Sequence, residues 1–246
     1  MDFHLIYIVI TGIFISSLVR STFGFGDGLV GMPFFLVFLP LIDSLYIMSI
    51  VGVLYALSIL FKISREFKTD NKKEFIGVTL FSIIGTVIGA IISSYDFVKF
   101  INFVLGTILI LYPFIYFGIF SKIKMKYSAF TSSFFGILDG FFGGSINSNG
   151  PPLILYSQIR HWQPVTTIAF MQPIFLIGNF VTTATILCFH SFSFDYYVAI
   201  FYSIPIIYIN TQIGSYIRQK IGNNLDTYFV VILFIIGLLE LYKLML

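Results

Sequence analysis

Seven separate stretches of this chain are apolar for about the length a helix needs to cross a lipid bilayer. A transmembrane helix takes about 20 mostly apolar residues to span roughly 30 Å of hydrocarbon. Residues 3–20, 44–61, 75–94, 97–119, 164–189 and 195–217 meet or approach that length, and 226–246 makes the seventh. Charged residues make up only 10% of the chain, against roughly 25% in a soluble domain whose surface water must solvate. Hydrophobic residues make up 58%, more than a soluble fold of 246 residues can hide. The bilayer is therefore the solvent for most of the surface, and the sequence predicts an all-α, polytopic membrane helical bundle. The start, M-D-F-H, lacks a basic region and no small-residue cleavage site follows, which predicts a retained first span. The lone Cys188 excludes an internal disulfide framework and a multi-cysteine metal site. No run of like charges points to a nucleic-acid partner.

Lysine and arginine orient such a bundle, because cytoplasmic loops carry their excess. Lys62, Arg65, Lys68, Lys72 and Lys73 lie in or beside loop 62–74, and Lys122, Lys124 and Lys126 in 120–127. Arg160, Arg218 and Lys220 come later, while the connections near 41–43, 94–99 and 190–195 hold only Lys99. Alternating crossings put eleven basic residues on one side and two, Lys99 and Lys243, on the other. The Lys-rich loops are thereby assigned to the cytoplasm and both termini outside. Glu66, Asp70 and Glu74 make the first of these loops read as an ordinary solvated connection; an anionic-lipid patch is the alternative.

Three shorter pieces remain, at about 29–40, 128–142 and 149–159. The first and last are too short for straight crossings, and each comes after a Gly-rich break, which predicts short or re-entrant segments. The two breaks resemble one another. Phe23–Leu36 reads F-G-F-G-D-G-L-V-G-M-P-F-F-L and Phe142–Leu155 reads F-G-G-S-I-N-S-N-G-P-P-L-I-L. An offset of 119 pairs Phe23 with Phe142, Gly24 with Gly143, Gly31 with Gly150, Pro33 with Pro152 and Leu36 with Leu155. Farther on, Gly85/Gly89 resembles Asn210/Gly214 at an offset of 125, a spacing that fits close helix packing. Each half reads as an apolar span, a break, a short Pro-bearing segment and three longer spans. Five segments per half is an odd number, so the second half enters the membrane from the opposite side. The expected architecture is two inverted repeats of about five segments, 1–119 and 120–246, within one integral membrane domain. Paired broken helices in inverted repeats mark transporters, with the solute site at their interface near the midplane.

The paired motif, a Gly-rich break and then an apolar residue and proline, once in each half, resembles the TauE/SafE family of sulfite and organosulfonate exporters. The likeness extends over essentially the whole chain in length, span count and both breaks. It implies an inverted-repeat helical fold in the cell membrane, in a bacterium the inner membrane, and transport of a small sulfur-containing anion such as sulfite, sulfoacetate or thiosulfate. The first break departs from the family's all-Gly centre by carrying Asp27, and the second is rich in Ser and Asn where the family often has Gly. Both departures fall where a solute would bind.

Breaking a helix in hydrocarbon frees backbone N–H and C=O groups that protein, water or solute must complete. The short segments begin at the breaks, so their N-termini, rich in unpaired N–H, face inward as anion cradles. The candidate solute-binding residues are Arg20, Gly24, Gly26, Asp27 and Gly28 in the first half. In the second they are Gly143, Gly144, Ser145, Asn147, Ser148 and Asn149. Glycine lets backbone approach a solute closely, and Ser145, Asn147, Ser148 and Asn149 add side-chain donors. Arg20, Asp27 and Asp139 are charges placed away from the membrane edges, where burial is costly and function is the default hypothesis. The 119-residue offset makes Arg20 and Asp139 equivalent, and near a pseudo-twofold axis they would form an ion pair. The plain role for that pair is a static brace; the sharper one gives Arg20's fork to the anion and a coupled proton to Asp27 or Asp139. Asp27 also stands where it would cap a helix beginning near Gly28.

The remaining polar residues carry weaker signals. His4, His161 and His190 lie near predicted membrane edges, far apart in sequence, and read as interfacial rather than metal-binding. Trp162 beside Arg160 reads as an interfacial belt residue. Gln172, Asn179, Asn210 and Gln212 read as helix-to-helix hydrogen bonds or as lining of the path. No metal, cofactor or catalytic group is expected. An intramembrane enzyme would need a nucleophile with its base, and no G-x-S-x-G or H-E-x-x-H occurs. The absence of a Walker motif speaks against an ATP-driven pump. A membrane-embedded scaffold is the other alternative. The partners expected are a small anionic solute and the bilayer, with oligomeric state left open.

Overall fold

The computed structural model describes residues 3–63, 72–93 and 125–221, with further helical residues between 103 and 114 and between 230 and 241. The predicted spans 97–119 and 226–246, most of loop 62–74, and Lys99, Lys122, Lys124 and Lys243 lie largely or wholly outside the described residues. Every regular element among the described residues is a helix. Eight are continuous: α1 (Phe3–Phe23), α2 (Asp27–Phe35), α3 (Leu41–Ile63), α4 (Lys72–Ser93), α5 (Ala129–Ile146), α6 (Pro151–Ile159), α7 (Pro164–Leu187) and α8 (Phe194–Ile221). Five stretches, Phe3–Phe23, Leu41–Phe61, Lys72–Ser93, Val165–Leu187 and Phe194–Lys220, are long and apolar enough to cross a bilayer. Their outward faces carry bare hydrocarbon: Phe61 is 83% exposed and Phe201 69%. Water would not tolerate that surface, and lipid does.

The polar groups are inside. Arg20, Asp27, Glu74, Asp139, Gln172, Asn179 and Asn210 are all buried, an inversion that comes from an apolar solvent. Glu74 corrects the sequence reading. It belongs to no solvated connection: it sits in the first turn of α4 and accepts from Arg160 Nε at 2.8 Å and Nη2 at 3.0 Å. Tyr156 donates its hydroxyl to the same carboxylate at 2.5 Å, and Arg160 Nη1 donates to the Met125 carbonyl at 2.9 Å. Trp162 is half-buried, packed against Phe170 and Tyr156, with the Arg160 guanidinium carbon 6.0 Å from its ring.

Helix pairing crosses between the halves. α1 packs along α8, α4 along α5, and α3 along α7. The α4–α5 seam is built on small residues. A methyl on Gly136, Gly140 or Gly144 would strike backbone of α4 at Val78, Ser82 or Thr86, and one on Gly85 or Gly89 would strike backbone at Ile137 or Phe141. Such close backbone approach is how helices associate where lipid supplies no hydrophobic drive. At the α1–α8 seam Gly214 lies against Ser21, and Asn210 Nδ2 donates to the Phe14 carbonyl at 2.8 Å and to Ser17 Oγ at 2.6 Å. Gly85/Gly89 and Asn210/Gly214 therefore have packing roles.

Ser49 meets Thr183 and Gly52 meets Asn179, so α3 and α7 run antiparallel. Asp43, at the start of α3, accepts from Tyr196 at 2.8 Å, and Tyr46 stacks on Phe192 with ring centroids 3.7 Å apart. The connections 41–43 and 190–195 thus share one end of the bundle. Arg160, Glu74 and Met125 gather at the other, beside the start of α7.

Candidate functional site

Two gaps in the helical run, 24–26 and 147–150, meet inside the protein. Gly24 and Gly26 have φ of +88° and +91°, a left-handed backbone that glycine adopts without a Cβ penalty, and they stop α1 and start α2. Arg218 donates to the last carbonyls of α1, Ser21 at 2.5 Å and Thr22 at 2.8 Å, replacing donors the helix end has lost. Asn147, at φ 51°, ends α5, and Gly150, at φ +123°, precedes the pair Pro151–Pro152 that opens α6. A methyl on Gly28 would overlap the Asn147 carbonyl oxygen, and one on Gly150 would press the Phe25 ring. The chain crosses itself here, backbone on backbone.

Arg20, in the last turn of α1, is fully buried beside this crossing. Its Nη1 donates to Asp27 Oδ2 at 2.7 Å and its Nη2 to Gln172 Oε1 at 3.1 Å. The rings of Phe175 and Tyr55 lie 5.2 and 5.7 Å from the guanidinium carbon, within cation–π range. Nε has no partner. A buried guanidinium nitrogen without an acceptor is costly, which marks the Nε edge as a place for one. Gln172 Nε2 in turn donates to the Gly24 carbonyl at 2.6 Å.

The second gap is furnished differently. Asp139 Oδ1 accepts from the Gly150 N–H at 2.8 Å. Pro151 and Pro152 have no N–H to offer, so the start of α6 is poor in free donors, contrary to the cradle expected there. Buried polar atoms are left over instead: Ser145 Oγ, both amide atoms of Asn147, and Ser148 Oγ are without hydrogen-bond partners. Asn149 is buried against Gly143.

Several expectations need correction. Arg20 pairs with Asp27, seven residues away, and not with Asp139, which serves Gly150. The 119-residue offset is not the spacing of the helices. Asp27 and Pro151 stand 124 residues apart, as do Phe35 and Ile159. Asp27 does not cap α2; Gly26 occupies the cap without a side-chain bond, and Asp27 turns its carboxylate to Arg20. Gly143, Gly144 and Ser145 belong to α5, and the gap starts only at Asn147. Gly144 is a packing residue on the α4 seam. Gln172, in sequence one of several polar span residues, reaches both Arg20 and the first gap. Its signal is one of two amides, with Asn179, in a long apolar helix, and Pro173 follows it directly.

A family model described as Sulfite exporter TauE/SafE matches residues 8–239, nearly the whole chain. No curated protein and no solved structure matches it.

Proposed function

This chain belongs to the sulfite exporter TauE/SafE family, and we propose from that premise that it is a secondary transporter of a small sulfur oxyanion or organosulfonate. The family suggests a multi-pass membrane protein that exports a sulfur anion; sulfite is the substrate we assign, and the cell membrane its location. The anion binds where the two gaps cross, near the midplane, against Arg20 Nε and the first turn of α2. Asp27, Gly28 and Leu29 open that helix, and first-turn N–H groups have no intrahelical acceptor. Asn147 and Ser148 close the site from the other half. The observation that carries this reading is the unpartnered Nε of a fully buried Arg20 at one gap and the unpartnered side-chain atoms of Asn147 and Ser148 at the other, the two gaps meeting where Gly28 faces the Asn147 carbonyl.

The transporter reading also draws on helix order. We take 1–119 and 120–246 as inverted repeats within one membrane domain. The recurrence of α2 as α6 at 124 residues supports this, as does the reciprocal pairing of α1 with α8 and α5 with α4. The interrupted pairs α1–α2 and α5–α6 are then re-entrant hairpins entering from opposite faces, the Lys-rich face being cytoplasmic. Two carboxylates stand beside the path. Asp27 holds Arg20 as the anion would, so a proton taken up by Asp27 frees the guanidinium and couples anion to proton.

Purified protein in proteoliposomes should accumulate labelled sulfite or a sulfonate, and more so with an imposed proton gradient. Passage of neutral solutes with no accumulation across a broad anion panel would defeat the proposal.

A further inference from the structure

The geometry points to Gln172 as the residue that positions Arg20 for the anion, a role that rests on the transport reading. Gln172 is fully buried on α7, in the second half of the chain, and its amide is spent across the boundary on two groups of the first half. Its orientation is forced. Arginine only donates, so Oε1 must face Arg20 Nη2 at 3.1 Å; a carbonyl only accepts, so Nε2 must face Gly24 O at 2.6 Å.

That double contact has a geometric consequence. One hydrogen bond, from Nη1 to Asp27, would leave the guanidinium plane free to swing about the contact. A second bond, at Nη2, fixes the plane and with it the direction of the Nε edge. The same amide holds the Gly24 carbonyl, in the gap from which α2 departs, so the arginine and the first turn of α2 keep one relative placement. Asp27 sets the charge balance of Arg20, and Gln172 sets its aim. A bidentate fork is useful only when aimed, because two N–H groups must meet two oxygens together. The residue is amide and not acid for the same reason. A carboxylate here would set an oxygen against the Gly24 carbonyl and add a second anion to Arg20.

The test compares Gln172→Met, which keeps length without polar atoms, with Gln172→Glu, both in proteoliposomes with labelled sulfite. Gln172→Met should raise the half-saturating sulfite concentration about tenfold while the maximal rate stays within about twofold, since a hydrogen bond to a charged group is lost. Gln172→Glu should raise it about a hundredfold, since a fixed carboxylate then competes for the guanidinium. Thermal unfolding in detergent accompanies both, because a purely structural role would lower stability and folded yield and leave half-saturation unchanged. If Gln172→Met yields no folded protein, Gln172→Glu alone decides, as it keeps an acceptor on Arg20. Half-saturation within about twofold of the parent protein in the folded variants, where loss of a charge-assisted hydrogen bond demands more, overturns the positioning role. A parent protein that moves neither sulfite nor sulfonates overturns the transport reading, and this role falls with it.

Discussion

The two gaps look alike in sequence and offer an anion opposite things. The first joins a buried cation, already paired with Asp27, to a helix start whose residues carry N–H groups. The second joins a carboxylate to a helix start made of two prolines, with Asp139 already on the Gly150 amide. A glycine-rich break is thus not by itself an anion cradle; the residues on the C-terminal side of the glycines decide. On the proposed reading, that difference puts the charge work at the first gap and leaves the side chains of Ser145, Asn147 and Ser148 as the second gap's contribution.

The largest effect should come from Arg20. Arg20→Gln should lower sulfite transport about a hundredfold, through lost charge-assisted hydrogen bonds. It should also destabilise the fold by about 3–5 kcal/mol, because Asp27 is left buried without its cation. Adding Asp27→Asn should recover most of the stability and none of the transport. Recovery of both, read by tracer uptake and thermal unfolding, would make the pair a brace and erase the contrast between the gaps.

Gly28 tests whether the crossing matters. Gly28→Ala drives a methyl into the Asn147 carbonyl, backbone against backbone, and should cost about 1–3 kcal/mol with a loss of uptake. Gly143→Ala is its control. Its methyl would come nearest to the Asn149 Cβ, 3.2 Å away, a contact that needs a shift of only a few tenths of an ångström, and the cost should stay below about 1 kcal/mol. Equal losses in thermal unfolding would mean that the contact is not where the halves are locked.

These contrasts also mark what was legible in the sequence. Hydropathy alone located α1, α3, α4, α7 and α8 to within a few residues, because lipid imposes length and apolarity on every span. The non-helical residues 24–26 and 147–150, with left-handed Gly24, Gly26 and Asn147 and positive-φ Gly150, fall within the Gly-rich stretches of the sequence. Partners were not legible. The pairing of Arg20 with Asp139 rests on a motif alignment five residues out of register with the helices, and motif spacing carries no information on side-chain reach. Gln172 and the Glu74–Arg160 pair were hidden for a related reason. Each joins positions far apart in sequence, 152 residues for Arg20–Gln172 and 86 for Glu74–Arg160, and only packing brings them together.

Asp139 should separate the gaps further. Asp139→Asn keeps an oxygen for the Gly150 N–H and should leave stability nearly unchanged, whereas Asp139→Ala orphans that N–H at about 1–3 kcal/mol. Sulfite half-saturation should move little in Asp139→Asn, because the carboxylate serves structure there. A large shift in affinity, with stability intact, would place the charge of Asp139 in the transport cycle and weaken the division of labour.

The smallest effect is the most pointed. If the second helix start is a poor anion site because Pro151 has no N–H, then Pro151→Ala supplies one at the first position of α6. The new donor should tighten sulfite binding by about two- to fivefold, the ordinary worth of a charge near a helix N-terminus. Binding is read by calorimetry on purified protein. Proline is well suited to that first helical position, so a slight fall in melting temperature should accompany the gain. Tighter binding in a less stable protein is the combination that only a newly opened donor explains; unchanged affinity would mean that the anion never approaches the start of α6, and that the second gap contributes side chains alone.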